Sequence, residues 1–401
     1  MTTSTPIIGF DAKRIVSNGT GLGSYGRTLI NDLARFPLTL RLYAPTPGRA
    51  DLRSQIADRE NITFVYPHSP SHLLSPLWRS RFIVSDLKRD NVQLYHGLSG
   101  ELPIGIRKSG IKSVVTIHDL IFLRHPEFYN PIDVKLYAWK FRRTLREADH
   151  IIAISECTKR DILEYGAGLI TEDKITLIYQ SCSPRFTSSP FTSSPFPHCH
   201  LEPFPHCHLE PSPHCHLERS REISSPYILS VGSIEPRKNT MLALKALHHL
   251  PDNISLVLVG RHTAYTDKLT QYARANGLDH RLHILHGVPD SELPALYAGA
   301  ECFVYPSVYE GFGIPIIEAI SCGLPVVACT GSCLEEAGGP DSLYVAPDDA
   351  LGMADAIRRS LKGAEGREER IQRSMDYIRR FSGTDVAAQV VEVYKKVLGG
   401  Y

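Results

Sequence analysis

Two Rossmann-like α/β domains facing each other across a cleft are the fold this chain predicts, and three observations predict it. Short apolar runs alternate with longer amphipathic ones in two separate series. The 401 residues suffice for two domains of ordinary size with full cores. Between the two series lies a proline-dense repetitive tract that neither helix nor strand can absorb. Apolar strands alternating with helices imply parallel sheets covered on both faces, in which ligands bind beyond the C-terminal strand ends.

In chain order, the first series predicts strands at 6–10, 38–43, 62–66, 92–96, 112–117, 150–154 and 174–178. Helical patterns fall at 24–36, 132–147 and 156–165. The second series predicts strands near 226–232, 254–260, 281–286, 301–305, 325–328 and 342–346, with helices near 239–249, 265–277, 290–298 and 315–322. Beyond 346 the chain reads as helix over roughly 349–362, 365–381 and 384–398. The last carries Val386, Val390, Val393 and Val397 on one face, and as a crossover helix it can return to the first domain. The expected division is 1–184 with 384–401 packing back on it, a linker at 185–225, and 226–383.

The tract at 187–219 holds T-S-S-P-F twice and P-H-C-H-L-E three times, starting at Pro197, Pro205 and Pro213. Proline breaks every copy, so the expectation is an exposed, mostly disordered linker. His198, Cys199 and His200 are good zinc or copper ligands, but neighbours in an extended chain point to opposite sides. Adventitious metal affinity is expected from them, and a functional metal site is not.

Charge is balanced, 44 basic against 43 acidic residues, which gives no pull toward nucleic acid. The N-terminus lacks the basic start and long apolar run of a secretion signal. The longest apolar runs, 151–154 and 256–259, are strand-sized and far short of a membrane span. Nine cysteines, three of them in the repeat, are expected as reduced thiols of a cytoplasmic enzyme.

The most informative stretch is F-V-Y-P-S-V-Y-E-G-F-G-I-P-I-I-E-A-I-S-C at 303–322. Glu310 belongs to a loop after a strand and Glu318 to the first turn or so of the next helix, with a G-F-G turn and Pro315 between them. Carboxylates accept from sugar or ribose hydroxyls, and unpaired N–H groups at a helix start hold hydroxyls or phosphate oxygens. The bland alternative is a turn at Gly311 and Gly313 flanked by solvated glutamates. The second domain opens with Y-I-L-S-V-G-S-I-E-P-R-K-N at 227–239, in which Gly232 ends a strand and Arg237 and Lys238 precede a helix. Two cations there make a diphosphate site, each contact being worth roughly 2–4 kcal/mol against developing charge in a water-poor site. Solvated surface charges are the alternative.

Residues 19–26, G-T-G-L-G-S-Y-G, contain G-x-G-x-x-G at Gly21, Gly23 and Gly26. Yet the preceding strand ends near Phe10, and the second strand, ending at Pro45, supplies no acidic residue for a ribose. The segment therefore reads as a loop bringing backbone to phosphate or acceptor. His118 and Asp119 end a strand in T-I-H-D-L; the histidine can bind a sugar hydroxyl and the aspartate can orient a loop or bind acceptor. Glu156, after Ser155, reads as a helix cap. In H-G-V-P-D-S-E-L-P, Gly287 and Val288 follow a strand and can wall a nucleobase, while Asp290 or Ser291 starts a helix.

E-G-F-G-I-P-I-I-E at 310–318 and G-S-I-E-P-R-K-N at 232–239, with T-I-H-D-L and G-L-G-S-Y in order, resemble the family 4 retaining glycosyltransferases. The resemblance covers nearly everything except 187–225. It implies the GT-B architecture, a nucleotide-sugar donor held chiefly by the second domain and an acceptor held chiefly by the first. It assigns Arg237 and Lys238 to the donor diphosphate, and Glu310 with the backbone of Phe312 and Gly313 to the sugar. Glu318 falls to the ribose, His118 to the sugar site, and Gly21 to Gly23 to the reaction centre; Gly232 and Val288 line the donor site. The wording is nearest to mannosyltransferase-like members, so GDP-mannose is the expected donor and uridine-diphosphate sugars the alternative. No metal is expected, since cations replace it. The expected acceptor is a growing polysaccharide or lipid-linked glycan at the inner membrane face. The basic amphipathic helix at 135–146, with Trp139 and Phe141, can touch anionic lipid. A nicotinamide dehydrogenase and a non-catalytic nucleotide- or metal-binding protein are the rivals from other classes.

Overall fold

A computed structural model describes residues 5–67, 77–182, 186, 225–381 and 385–400. The repeat tract at 187–219 lies outside the described residues, as does the rest of the proposed linker except Phe186 and Ser225. The chain divides into two compact units, Met1–Ser181 with Glu310–Phe312 and Gly383–Tyr401, and Cys182–Tyr309 with Gly313–Ser382.

In the first unit the strands are β1 (Ile7–Asp11), β2 (Thr39–Tyr43), β3 (Ile62–Val65), β4 (Leu94–Gly97), β5 (Lys112–Ile117), β6 (His150–Ala153) and β7 (Ile175–Leu177). They form one parallel sheet in the order β3-β2-β1-β4-β5-β6-β7. The chain moves outward from β1 to β3 and then returns to place β4 on the other side of β1. That reversal opens a crevice above β1 and β4, the switch point of such sheets. The strands are apolar because helices cover both faces: Ile8, Phe10, Leu94 and Val114 are all fully buried.

In the second unit the strands are β8 (Tyr227–Val231), β9 (Ser255–Val259), β10 (Leu282–Leu285), β11 (Cys302–Tyr305), β12 (Val326–Cys329) and β13 (Leu343–Val345). Their order, β10-β9-β8-β11-β12-β13, repeats the same topology, with its reversal between β8 and β11. Each sits within a residue or two of its expected span.

Helix ends follow local capping chemistry. Asn130 accepts from the Ile132 amide to start Pro131–Glu147, with proline in its first turn. Asp385 accepts from the Ala388 amide to start Val386–Leu398. This last helix sends Ala387, Val390, Val391, Val393 and Tyr394 into the core of the first unit. There His96 is sealed between Tyr394 Oη at 2.6 Å and Thr116 Oγ1 at 2.9 Å.

Four local expectations are corrected. The glycine segment after residue 18 is no loop: helix Gly21–Leu33 begins there. Gly23 is needed for packing, since a Cβ would lie 1.8 Å from the Asn18 carbonyl oxygen. Ser155, not Glu156, caps helix Glu156–Tyr165, its Oγ accepting from the Thr158 amide. The helix after β10 starts at Leu293, later than Asp290 or Ser291. Finally, Phe141 faces inward with Thr144 and Leu145, at the i, i+3, i+4 spacing of a buried stripe. Among the described residues, no helix is long and apolar enough to cross a membrane.

Candidate functional site

The second unit collects its chemistry above the reversal between β8 and β11. β8 ends just before Gly232, whose φ of 147° only glycine adopts without strain. From there the chain turns through a 3₁₀ segment, Pro236–Lys238, and Asn239 in left-handed conformation starts helix Thr240–Ala246. Lys238 folds back so that its Nζ donates to Tyr305 Oη at 2.7 Å and lies 4.9 Å from that ring's centre. A Cβ on Gly232 would stand 3.7 Å from Lys238 Nζ, so backbone and ammonium are neighbours. Gly232, Lys238, Thr240, Tyr305 and Ser307 line a recess of about 10 Å³, room for roughly one water. Two hydroxyls in it, Thr240 Oγ1 and Ser307 Oγ, are buried without a hydrogen-bond partner among the described residues. Buried polar groups are ordinarily paired; an ammonium, two idle hydroxyls and a side-chain-free strand end together suit an oxyanion.

Arg237 ties this turn to the segment before Glu310. Its Nη1 donates to the Tyr309 carbonyl at 2.7 Å, its Nη2 to Glu235 Oε1 at 2.8 Å, and its carbonyl accepts from the Val308 amide at 2.9 Å. Gly313, with φ of 110°, is the N-cap of helix Ile314–Ser321, where Pro315 is the second helical residue. Glu318 lies in this helix, and its Oε2 accepts from Tyr297 Oη at 3.0 Å. That phenol is fully buried and fixes the carboxylate. Val288 is half-buried in the loop after β10 and does not line the recess.

In the first unit, His118 follows β5. Its Nε2–H donates to the Leu98 carbonyl at 2.9 Å, so Nδ1 accepts from the Gln180 amide at 3.0 Å. Burial pushes its pKa down to about 4, so the ring is neutral at neutral pH. His96 is lowered further, to about 3, by burial and then by His118. The Tyr25 ring meets the His118 ring edge-on at 4.9 Å. Asp119 Oδ1 accepts from the Ile121 amide at 3.2 Å and so orients its loop. Glu310–Phe312 belong to this unit by their contacts. The Gly311 carbonyl accepts from Ser155 Oγ at 2.6 Å and Thr158 Oγ1 at 3.2 Å, and Phe312 stacks on Tyr179 at 5.5 Å. Glu310 is buried. Gly21 and Gly23 form the first turn of their helix.

The structure thus gathers Gly232, Lys238 and the turn of Arg237, and puts His118 and Asp119 on the loop after β5. It adds Tyr305, Ser307, Thr240, Tyr297, Ser155 and Gln180, which sequence reading passed over. Thr240 and Ser307 could have been suspected, since each stands two or three residues from a singled-out charge. Gln180, Tyr297 and Ser155 carried no local signal of partnership.

Known proteins match this arrangement across the chain. Residues 218–376 match the family model Glycosyl transferases group 1, and residues 19–183 match Glycosyltransferase Family 4. An O-antigen chain mannosyltransferase B of Escherichia coli is 29% identical over 398 residues, 94% of this chain and 96% of its own. An O-antigen chain mannosyltransferase of Salmonella typhimurium is 26% identical over 268 residues, 67% of this chain and 65% of its own. A glycosyltransferase crystal structure from Rickettsia africae superposes with a TM-score of 0.72 over 100% of both chains at 19% identity, a likeness of fold.

Proposed function

The chain belongs to the family 4 glycosyltransferases of GT-B fold, and from that premise we propose a retaining, metal-independent hexosyltransferase moving mannose from GDP-mannose to a growing polysaccharide or lipid-linked glycan. The sugar assignment rests on the names of the two relatives. The observation that carries the mechanism is the recess beside Gly232, with its ammonium and two unpartnered hydroxyls.

A departing nucleoside diphosphate is an anion, so no general acid is required; cations and hydrogen-bond donors meet the charge instead. Lys238 and Arg237 take that role, with Thr240 and Ser307 donating to phosphate oxygens. Glu318, held by Tyr297, accepts from ribose hydroxyls, and Val288 walls the base. Glu310 and the backbone of Phe312 and Gly313 hold the sugar. A sugar hydroxyl reaches His118 Nδ1 by replacing the Gln180 amide. With retention, the acceptor oxygen bonds to the anomeric carbon on the face from which the diphosphate leaves. Its proton passes to a phosphate oxygen as the anomeric C–O bond breaks.

Nucleotide release from a panel of GDP- and UDP-sugars, with and without EDTA, tests this reading. GDP-mannose is expected to turn over fastest, and EDTA to have no effect. Lys238→Ala and Arg237→Ala are each expected to lower kcat by about 10²–10³-fold with unchanged circular dichroism. Near-normal transfer by either variant overturns the diphosphate assignment.

Peripheral contact with anionic membrane belongs to the same reading. Helix Pro131–Glu147 exposes Ile132 (75%), Leu136 (45%) and Trp139 (54%) among Lys135, Lys140 and Arg142. Ile132→Asp with Leu136→Asp should abolish co-sedimentation with phosphatidylglycerol vesicles; undiminished binding removes this surface from the reading.

A further inference from the structure

The first unit holds a larger cavity, of about 390 Å³, above its own reversal between β1 and β4. That volume lies within the range of about 300–1,000 Å³ typical of small-molecule sites. Its floor is a chain of alternating charge. Arg79 Nη2 meets Asp11 Oδ2 at 2.5 Å, Arg79 Nη1 meets Glu101 Oε2 at 2.8 Å, and Lys140 Nζ meets Glu101 Oε1 at 3.0 Å. Two more cations, Lys13 and Arg143, complete the lining, so four positive side chains face two carboxylates.

The surplus sits on the two cations outside the chain. Arg143 Nη2 donates to the Leu102 carbonyl at 2.9 Å, and its guanidinium lies 5.0 Å from the centre of the Trp139 ring. Its Nε is buried with no hydrogen-bond partner among the described residues, and no carboxylate there comes within ion-pair reach of it. The Lys13 ammonium makes no direct ion pair among the described residues, although Asp11 and Glu101 lie near enough to favour its charge. Each has its charged form disfavoured on balance, Arg143 by burial against the pull of Glu101 and Glu147, Lys13 by burial and then by Arg79 and Arg14 against the pull of Asp11 and Glu101. Arg143, partly buried, shares its nearest carboxylates with other cations, so burial is not fully offset, and an anion from outside would relieve it. Trp139 borders the cavity as a broad, half-exposed ring on which the apolar face of a sugar can lie.

We infer that this cavity seats an anionic group, a phosphate or diphosphate, carried by the glycan acceptor, with Arg143 and Lys13 as its ligands and Trp139 beneath the adjoining sugar. This names the acceptor's chemical class and rests on the glycosyltransferase reading above. Phosphate suits the guanidinium because its fork of donors matches two oxygens at once. The Asp11–Arg79–Glu101–Lys140 chain holds the walls in place and leaves the outer cations in excess.

The test uses the full chain, with a soluble disaccharide bearing a reducing-end phosphate and its phosphate-free counterpart as acceptors. Trp139 is one of two tryptophans in the chain, and Trp78 is buried, so fluorescence quenching reports occupancy directly. Titration with the phosphorylated disaccharide and with inorganic pyrophosphate separates an acceptor-borne group from a free anion. Quenching by the disaccharide phosphate below the concentration needed for pyrophosphate supports the inference; pyrophosphate binding as well or better overturns the acceptor assignment. In transfer, wild type should show a lower KM for the phosphorylated acceptor. Arg143→Gln and, independently, the exposed Lys13→Gln should each shrink that preference by about tenfold, the weight of one charge-assisted hydrogen bond. A wild-type preference kept by both variants overturns the inference. If neither acceptor receives sugar, the glycosyltransferase reading fails, while the titration still decides whether the cavity takes phosphate.

Discussion

The two sheets share one topology, yet their central strands end in opposite chemistry. β1 ends in Asp11, whose buried carboxylate is closed by Arg79, itself closed by Glu101. β8 ends in front of Gly232, a residue without a side chain, beside one ammonium and two idle hydroxyls. A switch point is therefore a place and not a function. A strand end closed by ion pairs borders a wide cavity lined by charged side chains. A strand end stripped to backbone lets a ligand's phosphate approach the main chain.

The largest expected effect attacks the charged side of this contrast. Burial alone would raise the pKa of Asp11, but Arg79, by charge and hydrogen bond, brings it below 3.8. A carboxylate with a depressed folded pKa contributes stability above its unfolded value and loses it as pH falls through the folded one. Arg79→Ala leaves burial opposed only by the amide and charge of Lys13, and should cost about 3–5 kcal/mol at neutral pH. The sign then inverts: protonation of Asp11 relieves the variant, so its deficit should narrow as pH falls toward 4. Urea denaturation of both proteins, followed by hydrogen exchange in the first unit, checks this. Parallel pH profiles would mean that the pair is not what holds β1's end.

A smaller effect sharpens the other side. Ser307→Ala and Thr240→Val remove hydroxyls that have no described partner, so stability should stay within about 1 kcal/mol of wild type or rise slightly. Donor affinity should nevertheless fall by about tenfold for each, read by competition with the free nucleotide. A variant that loses stability and keeps its donor affinity identifies that hydroxyl as structural.

Much of this was legible in the residues themselves. Strand and helix positions follow from periods of two and 3.6 in side-chain polarity, which are local properties. The cations at 237–238 and the glycines at 232 and 313 stood out because a proposed diphosphate site needs cations and a proposed sugar site needs open backbone. Other residues misled. Gly21, Gly23 and Gly26 imitate a phosphate loop, yet Gly23 answers to the Asn18 carbonyl. Phe141 and Trp139 look alike on a helical stretch, but two residues of helix turn one inward and the other outward. His118 stood out correctly as a post-strand histidine, while the Leu98 and Gln180 groups that fix its tautomer lie far away in sequence.

By itself the order of amino acids determined the elements, their alternation in two series, and the kinds of group carried at the strand ends, because these depend on neighbours a few bonds away. Tertiary structure alone decided which ends meet. Asp11, Arg79, Glu101 and Arg143 line one cavity although up to 132 positions separate them, and Tyr394 closes on His96 across 298. Such meetings are set by the sheet order and by many weak apolar contacts summed over a core, and no short stretch of chain contains that sum.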